Sequence, residues 1–222
     1  MTTFLLLRHA HSEANLKGIL AGRISGIDLS ETGRLQSSQL VEALGSYRID
    51  RIICSPLQRC KDTIARTAGV RKKRIFTNAA FIEMDYGSWS GRSLKDLAKE
   101  KDWRKIQKSP SAFTFPNGES FSSAAMRVER ELGKLARRYP NGSILIVTHG
   151  DVIKMALQIS NGSPLDNFQK FVVDTCSLSE IEWNKGSRLV VRSNVRITKV
   201  KNQKRRSVLT KNRKVLGGGS GV

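Results

Sequence analysis

Short apolar runs alternate with amphipathic segments of helical length, and this alternation constrains the fold more than any other feature of the chain. Residues 4–7 (FLLL) and 144–147 (ILIV) are long enough for a buried strand but too short for a helix. Residues 32–44 and 122–139 have the length and the apolar spacing of helices. Strands that alternate with helices favour a three-layer α/β/α sandwich with a mostly parallel central sheet.

The same patterns predict most of the elements. Strands are predicted at residues 3–7, 49–54, 74–77, 144–147, 178–183 and 188–193. Helices are predicted at residues 32–44, 56–68, 94–106, 122–139 and 151–159. Ser30 is expected to cap the first of these helices, with an inner face made of Leu35, Leu40, Val41 and Leu44. We therefore predict one domain over residues 1–195, with an insertion at about 92–120.

Arginine and histidine follow the predicted strands. Arg8 and His9 come directly after residues 4–7, and His149 follows residues 144–147. Open α/β sheets bind ligands at the carboxyl ends of their strands. Arginine binds phosphate oxygens through two parallel hydrogen bonds, and a neutral imidazole can attack phosphorus. The pattern predicts a phosphoryl-transfer site, to which Arg59 adds a second cation and Glu83 a carboxylate.

The order of these motifs resembles the histidine phosphatase superfamily, in its phosphoglycerate mutase-like branch. The resemblance covers roughly residues 3–183. It rests on the blocks Arg8-His9-Ala10, Gly22-Arg23, residues 28–36, residues 55–60 (SPLQRC), Glu83 with Gly87 and Gly91, residues 117–120 (NGES) and Thr148-His149-Gly150. Residues 86–120 are most similar to an actinobacterial group of phosphomutases or phosphatases. The resemblance implies a phosphoglycerate mutase-like fold.

The resemblance also implies roles for individual residues. His9 is expected to be the nucleophile that carries the phosphoryl group, and the surrounding arginines should keep it neutral by lowering its pKa. Arg8 and Arg59 are expected to bind the phosphoryl oxygens. His149 is expected to donate a hydrogen bond to the phosphoryl group or to the attacking centre. Glu83 is the candidate general acid.

Some assignments stay open at this stage. Asp85 is the rival of Glu83 for the acid role. Asn15 and Arg23 are expected to line the phosphate or substrate mouth, although a capping or surface role suits Arg23 nearly as well. Two residues depart from the family pattern. Ala10 replaces a glycine, and His11 stands where glutamate or glutamine is frequent. His11 is expected to be a simple exposed histidine, and the alternative is a residue that contacts substrate or titrates near neutral pH.

Three functions follow from this reading. We favour a metal-independent phosphatase that hydrolyses a phosphomonoester of a small phosphorylated metabolite. The first alternative is a phosphomutase of the cofactor-dependent phosphoglycerate mutase type, which would need a 2,3-bisphosphoglycerate primer; the phosphatase needs no cofactor. The second is a non-catalytic module that binds a phospho-ligand or a polyanion through the basic tail. No spacing of histidine, cysteine or carboxylate residues indicates a metal site.

The net charge of +20 is concentrated at the carboxyl end of the chain. Twelve of the 39 basic residues and none of the 19 acidic ones lie from residue 185 onward, which leaves +8 for the preceding 184 residues. We predict a basic, flexible tail over residues 196–222 that can contact polyanions without specificity.

The compartment and the oligomeric state are predicted less directly. Cys54, Cys60 and Cys176 are widely spaced and odd in number, which suits a reducing compartment. No signal peptide or membrane-spanning run is apparent, so a cytoplasmic location is expected. The sequence leaves the oligomeric state open, with a dimer among the options.

Overall fold

A single sheet forms the centre of the computed structural model, which describes residues 1–199. The predicted tail of residues 196–222 lies mostly outside the described residues. The strands are β1 (Thr2–Arg8), β2 (Arg51–Cys54), β3 (Ile75–Thr77), β4 (Ser143–Thr148), β5 (Ser177–Trp183) and β6 (Arg188–Arg196). Their order across the sheet is β3-β2-β4-β1-β5-β6.

Strands β1 to β4 run parallel to one another, and β5 is antiparallel to both of its neighbours, β1 and β6. In the central pair, Phe4 lies opposite Ile144 and Arg8 lies opposite Thr148. The carboxyl ends of β1 and β4 therefore meet at one edge of the sheet, and the residues that follow them are neighbours.

Seven α-helices accompany the sheet within residues 1–199. They are α1 (Glu13–Leu16), α2 (Glu31–Ala43), α3 (Gln58–Val70), α4 (Leu94–Leu97), α5 (Trp103–Lys108), α6 (Phe121–Arg138) and α7 (Gly150–Ser160). Helices α2 and α3 pack on one face of the sheet, and α6 and α7 pack on the other. This arrangement confirms the predicted three-layer α/β/α sandwich with a mostly parallel sheet.

The side chains of β1 show why a continuous apolar run forms a central strand. Phe4 and Leu6 belong to the core beneath α6 and α7, whereas Leu5 and Leu7 belong to the core beneath α2 and α3. Because helices cover both faces of the sheet, every position of the strand is buried, and the apolar–polar alternation of a half-exposed strand is absent.

Helix α2 begins where it was predicted, but its inner face is rotated. The Ser30 side chain accepts a hydrogen bond from the Gly33 amide at 3.2 Å, which caps the helix. Leu40 and Leu44 are buried as expected, whereas Leu35 is 52% exposed, so its placement in the core was wrong. The reason is Gly33, since a Cβ atom there would lie 1.9 Å from the carbonyl oxygen of His11. This close approach turns the glycine toward the loop after β1, and Leu35 then faces solvent.

The predicted helix over residues 94–106 is wrong, because two short helices, α4 and α5, occupy this region. The chain turns between them through hydrogen bonds from Lys99 to Asp96 and from Glu100 to Leu97. The turn allows Leu97 and Trp103 to enter the same core. Burial of two large side chains outweighs the continuity of one polar helix.

Trp103 also stacks on Trp89, with 6.3 Å between the ring centroids. This contact packs α5 against the segment that contains Trp89. Within residues 1–199, no helix combines the length and the apolar character needed to cross a membrane.

Candidate active site

Five polar side chains that the sequence singled out converge at the carboxyl edge of the sheet. Each is at most 5% exposed: Arg8, His9, Arg59, Glu83 and His149. The rings of the two histidines, one after β1 and one after β4, have their centroids 5.3 Å apart. The first turn of α3 supplies the second arginine, and a loop after β3 supplies the carboxylate. Elements distant in sequence therefore build one compact site.

The backbone and the ring of His9 are both fixed by hydrogen bonds. Its amide donates to the Thr148 carbonyl at 2.8 Å, and its carbonyl accepts from the Cys176 amide at 3.1 Å. The ring Nδ1 lies 2.8 Å from the carbonyl oxygen of Ala10, so Nδ1 carries the proton and Nε2 presents a lone pair. Burial and the positive charge of Arg59 keep the pKa of His9 well below its usual value, so the imidazole is neutral.

Ala10 fits the position that is a glycine in the family pattern. Its backbone is outside the left-handed region, so no glycine is required there. Its amide donates to the Thr63 hydroxyl at 2.9 Å, and that hydroxyl donates to the Arg59 carbonyl at 2.6 Å. The residue that fixes the His9 ring is thus itself tied to the helix that bears Arg59.

Both arginines leave part of their guanidinium groups unpaired. Arg8 donates from one terminal nitrogen to the Val173 carbonyl at 2.7 Å, and Arg59 donates to the Gly22 carbonyl at 2.8 Å. The Nε atom of each is buried and has no hydrogen-bond partner among residues 1–199. Buried donors are seldom left unpaired. Two such donors in one site can bind the oxygens of an anion such as a phosphoryl group.

His149 is in contact with Arg59, Ser55 and Glu83. Arg59 donates to its Nδ1 at 3.2 Å, and its Nε2 lies 2.7 Å from the Ser55 hydroxyl. Nδ1 is 3.9 Å from an Oε atom of Glu83. Burial and the charge of Arg59 lower the pKa of His149 well below its usual value, so this imidazole is neutral too.

Glu83 has the environment of a carboxylic acid that keeps its proton. Burial raises its pKa to about 7, and the negative charge of Asp151 acts in the same direction. One Oε atom accepts a hydrogen bond from the Met84 amide at 3.0 Å, and the arginine charges oppose the shift. Such a group can donate a proton near neutral pH and take it back.

Asp85, the rival for the acid role, is used differently. Its side chain is 38% exposed and pairs with Arg23 at 3.3 Å. It also accepts a hydrogen bond from the Gly87 amide at 3.0 Å. These contacts shape the loop on which Glu83 lies.

Arg23 and Asn15 were expected at the mouth of the site, and the structure places both in supporting contacts. Arg23 donates to the carbonyl oxygen of Glu83 at 3.0 Å and pairs with Glu119 at 3.2 Å. The side-chain Oδ1 of Asn15 accepts from the backbone amide of Ser12 at 3.0 Å in the capping box of α1. Arg23 is therefore close to the acid loop, and Asn15 shapes the segment after the His9 motif.

His11 is not the simple exposed residue that was expected. It is half-buried, and its Nδ1 lies 2.8 Å from the Ser30 hydroxyl that caps α2. Burial lowers the pKa of His11 below its usual value. This histidine links the motif loop to the first helix of the sandwich.

Sequence reasoning missed a second group of polar residues behind the site. Its members are Tyr86, Glu119, Arg127, Asp151 and Lys154. Arg127 donates to Glu119 at 2.9 Å and to the Glu83 carbonyl at 3.3 Å. Asp151 could have been noticed because it follows His149 by two residues, but an acidic residue in the first turn of a helix is common for electrostatic reasons alone. No group of three or more possible metal-binding side chains occurs within residues 1–199.

Comparison with known proteins identifies the family of this chain. The sequence model of the histidine phosphatase superfamily (branch 1) matches residues 4–196, and the chain belongs to this superfamily. It is 29% identical over 197 residues to phosphoserine phosphatase 1 of Hydrogenobacter thermophilus, covering 88% of this chain and 93% of the relative. It is 31% identical over 184 residues to the uncharacterized phosphatase PhoE of Bacillus subtilis, covering 82% and 89%.

A solved structure agrees with these relatives. The alpha-ribazole phosphatase of Shigella flexneri superimposes with a TM-score of 0.77 at 27% identity, covering 90% of this chain and all of that one. The family and the phosphatase relatives confirm the predicted enzyme class, which is a phosphatase that acts through a phosphohistidine. The likeness of residues 86–120 to an actinobacterial group stays a prediction.

Proposed function

We propose that this phosphatase hydrolyses phosphomonoesters of small metabolites, with His9 as the nucleophile. The observation that carries the proposal is the state of the His9 ring. Its Nδ1 proton is bound by the Ala10 carbonyl, and burial beside Arg59 keeps the imidazole neutral. The Nε2 lone pair is available to attack phosphorus.

The two arginines provide the binding site for the phosphoryl oxygens. Their unpaired Nε–H groups offer hydrogen bonds, and their charges offset the charge that develops during transfer. His149 completes this environment. When phosphoryl oxygens engage Arg59, Nδ1 of His149 is free to carry the proton and donate it, because the Ser55 hydroxyl can then donate to Nε2.

Glu83 supplies and recovers the proton. In the first step, a bond forms between His9 Nε2 and phosphorus, the bond to the ester oxygen breaks, and that oxygen takes the Glu83 proton. In the second step, the Glu83 carboxylate removes a proton from water while the water oxygen attacks phosphorus. The nitrogen–phosphorus bond then breaks, and alcohol, phosphate and the starting enzyme are the products.

Several features support a small metabolite as the substrate. The site is compact, and two of the three proteins named above are, by their names, phosphatases of phosphoserine and of alpha-ribazole phosphate. Neither a metal nor an organic cofactor is needed, because two arginines supply the positive charge that a metal provides in other phosphatases. We also propose a cytoplasmic location, which the three free buried cysteines support. Contact of the basic tail with polyanions stays a prediction, as does dimerisation.

The test is phosphate release from a panel of phosphorylated metabolites in the presence of EDTA, with the wild type and His9→Ala compared side by side. The panel includes phosphoserine, alpha-ribazole phosphate and 3-phosphoglycerate, the last with and without 2,3-bisphosphoglycerate. Release that survives EDTA and is lost in the variant supports the proposal. Isomerisation of 3-phosphoglycerate without release would favour the mutase, and neither reaction would favour a binding role.

A further inference from the structure

We propose that Asp151 is a positioning residue that keeps Glu83 in its acid form and so sets the pH range of the enzyme. This inference rests on the proposed role of Glu83 as the general acid. Asp151 belongs to the first turn of α7, two residues after His149, and its side chain is 1% exposed. The negative charge of a buried carboxylate raises the pKa of any other carboxylate in the same site.

A hydrogen bond connects Asp151 to the loop that bears Glu83. The Tyr86 hydroxyl donates to Asp151 Oδ2 at 2.7 Å, and Tyr86 is itself 2% exposed. Tyr86 follows Glu83 by three residues, so this bond joins α7 to the acid loop. Both carboxylates are buried, and this hydrogen bond joins the two segments that bear them.

Asp151 and Glu83 have different partners. Asp151 Oδ2 accepts the Tyr86 hydrogen bond, and Lys154 Nζ lies 3.7 Å from Oδ1, which is buried and has no hydrogen-bond partner among residues 1–199. One Glu83 Oε atom accepts a hydrogen bond from the Met84 amide, and the other lies 3.9 Å from Nδ1 of His149. Two carboxylates in one buried site do not ionise together readily. Burial and the charge of Asp151 raise the pKa of Glu83 to about 7, so Glu83 holds the proton.

The other charged and titratable groups around Glu83 mostly act against this effect. The groups that face it from the surrounding elements are Arg8, Arg23, Arg59, Arg127, Lys154, His9, His149 and Tyr86. The arginines favour the carboxylate form of Glu83, whereas burial and Asp151 favour the acid form. The pKa of about 7 is the outcome of these opposed contributions. Removal of the Asp151 charge is therefore expected to lower the pKa of Glu83.

The experiment is the pH dependence of kcat/KM for the wild type and Asp151→Asn, with an alkyl phosphate as a substrate with a poor leaving group. The general acid must be protonated, so wild-type activity falls as pH rises through the pKa of about 7. In Asp151→Asn we expect this fall about one pH unit lower, which is roughly a tenfold loss at pH 8 and little loss near pH 5.5. Ionisation of the substrate is common to both enzymes and cancels in the comparison.

Tyr86→Phe is the matched control. It removes the hydrogen bond between residues 86 and 151, which Asp151→Asn can keep because the asparagine Oδ1 also accepts, and it leaves the Asp151 carboxylate in place. We expect its pH profile to move less than that of Asp151→Asn, even if the rate falls at every pH. A displacement as large as that of Asp151→Asn would overturn the inference, because the hydrogen bond and not the charge would then set the pKa of Glu83.

Glu83→Gln separates failure of this inference from failure of the proposed function. If an alkaline fall beyond that caused by substrate ionisation persists in Glu83→Gln, the acid is another residue and both proposals lose their basis. If the fall disappears in Glu83→Gln but Asp151→Asn keeps the wild-type profile, only the role of Asp151 is refuted. Asp151→Ser, with the same expected displacement, replaces Asp151→Asn if circular dichroism shows that the asparagine variant does not fold.

Discussion

The two histidines and the glutamate of this site are positioned in different ways. His9 and His149 follow neighbouring parallel strands, and the register that pairs Arg8 with Thr148 brings them together. Glu83 lies on a loop, and that loop is held by side chains: Arg23 and Arg127 both donate to its carbonyl oxygen. Backbone hydrogen bonds are independent of pH and salt, whereas contacts between charged side chains respond to both.

From this comparison we expect the part of the site that is proposed to bind the phosphoryl group to be rigid, and the part that is proposed to transfer the proton to be tunable. Exchange of single side chains around Glu83 is expected to change rate and pH dependence while the histidines keep their positions. Changes in the sheet-borne part are expected to remove the chemistry altogether.

The largest effect is expected from His9→Ala. Loss of the proposed nucleophile should reduce turnover by about 10³-fold or more. We expect no loss of fold, because the backbone hydrogen bonds of residue 9 to Thr148 and Cys176 do not need the imidazole. Turnover of the substrate found in the panel measures the loss of activity, and a thermal unfolding curve measures the retention of the fold. Turnover near that of the wild type would remove His9 from the nucleophile role.

Arg59→Ala should weaken the binding of phosphate and vanadate by roughly 10²-fold. Arg59 is 2% exposed and contacts His149, so its loss removes a buried charge from the anion site. Competitive inhibition constants for both anions provide the measurement. Arg66→Ala, at an exposed position further along α3, is the control and should leave the constants unchanged.

Gly87→Ala tests how tightly the acid loop is packed. Gly87 has a φ of +51°, and a Cβ atom there would lie 2.0 Å from the Pro116 carbonyl oxygen. We expect a loss of about 3 kcal/mol in the free energy of unfolding, from backbone strain together with the clash. Gly162→Ala has a φ of +65° with nothing within 4 Å, so it should show only the strain, about 1 kcal/mol. Equal losses of unfolding free energy in Gly87→Ala and Gly162→Ala, measured by urea unfolding, would show that the loop moves to accommodate the added Cβ atom.

Arg127→Met tests the ion pair between Arg127 and Glu119 beside the loop that bears Glu83. The Arg127 side chain is 20% exposed and donates to the Ala80 carbonyl at 2.7 Å as well as to Glu119 and Glu83. We expect about 2 kcal/mol lower stability and a several-fold lower kcat/KM. Arg23→Met, at 36% exposure, should cost less than about 1 kcal/mol. The reverse order in urea unfolding would refute the greater importance of the buried arginine.

Prediction from the sequence was most accurate where a local pattern decides the structure. The apolar runs predicted the central strands, and the residues that follow them were placed at one edge of the sheet. Leu35 shows the limit of prediction from a local pattern. Its spacing suits the inner face of α2, but the contact of Gly33 with the His11 backbone rotates the helix. The break between α4 and α5 likewise follows from burial of Trp103 in a distant core.

The sequence by itself determined the layered fold, the family and the five residues that meet at the sheet edge, because short apolar runs and strand-end motifs act over a few neighbouring residues. Only the tertiary structure decided that Asp85 pairs with Arg23, that Glu119 and Arg127 brace the acid loop and that Asp151 lies buried beside Tyr86. Except for the pair Glu119–Arg127, these contacts join residues that are 34 to 65 positions apart in the chain. Burial and electrostatic environment arise only when distant segments pack, so the protonation of Glu83 could not be predicted from its neighbours in the chain.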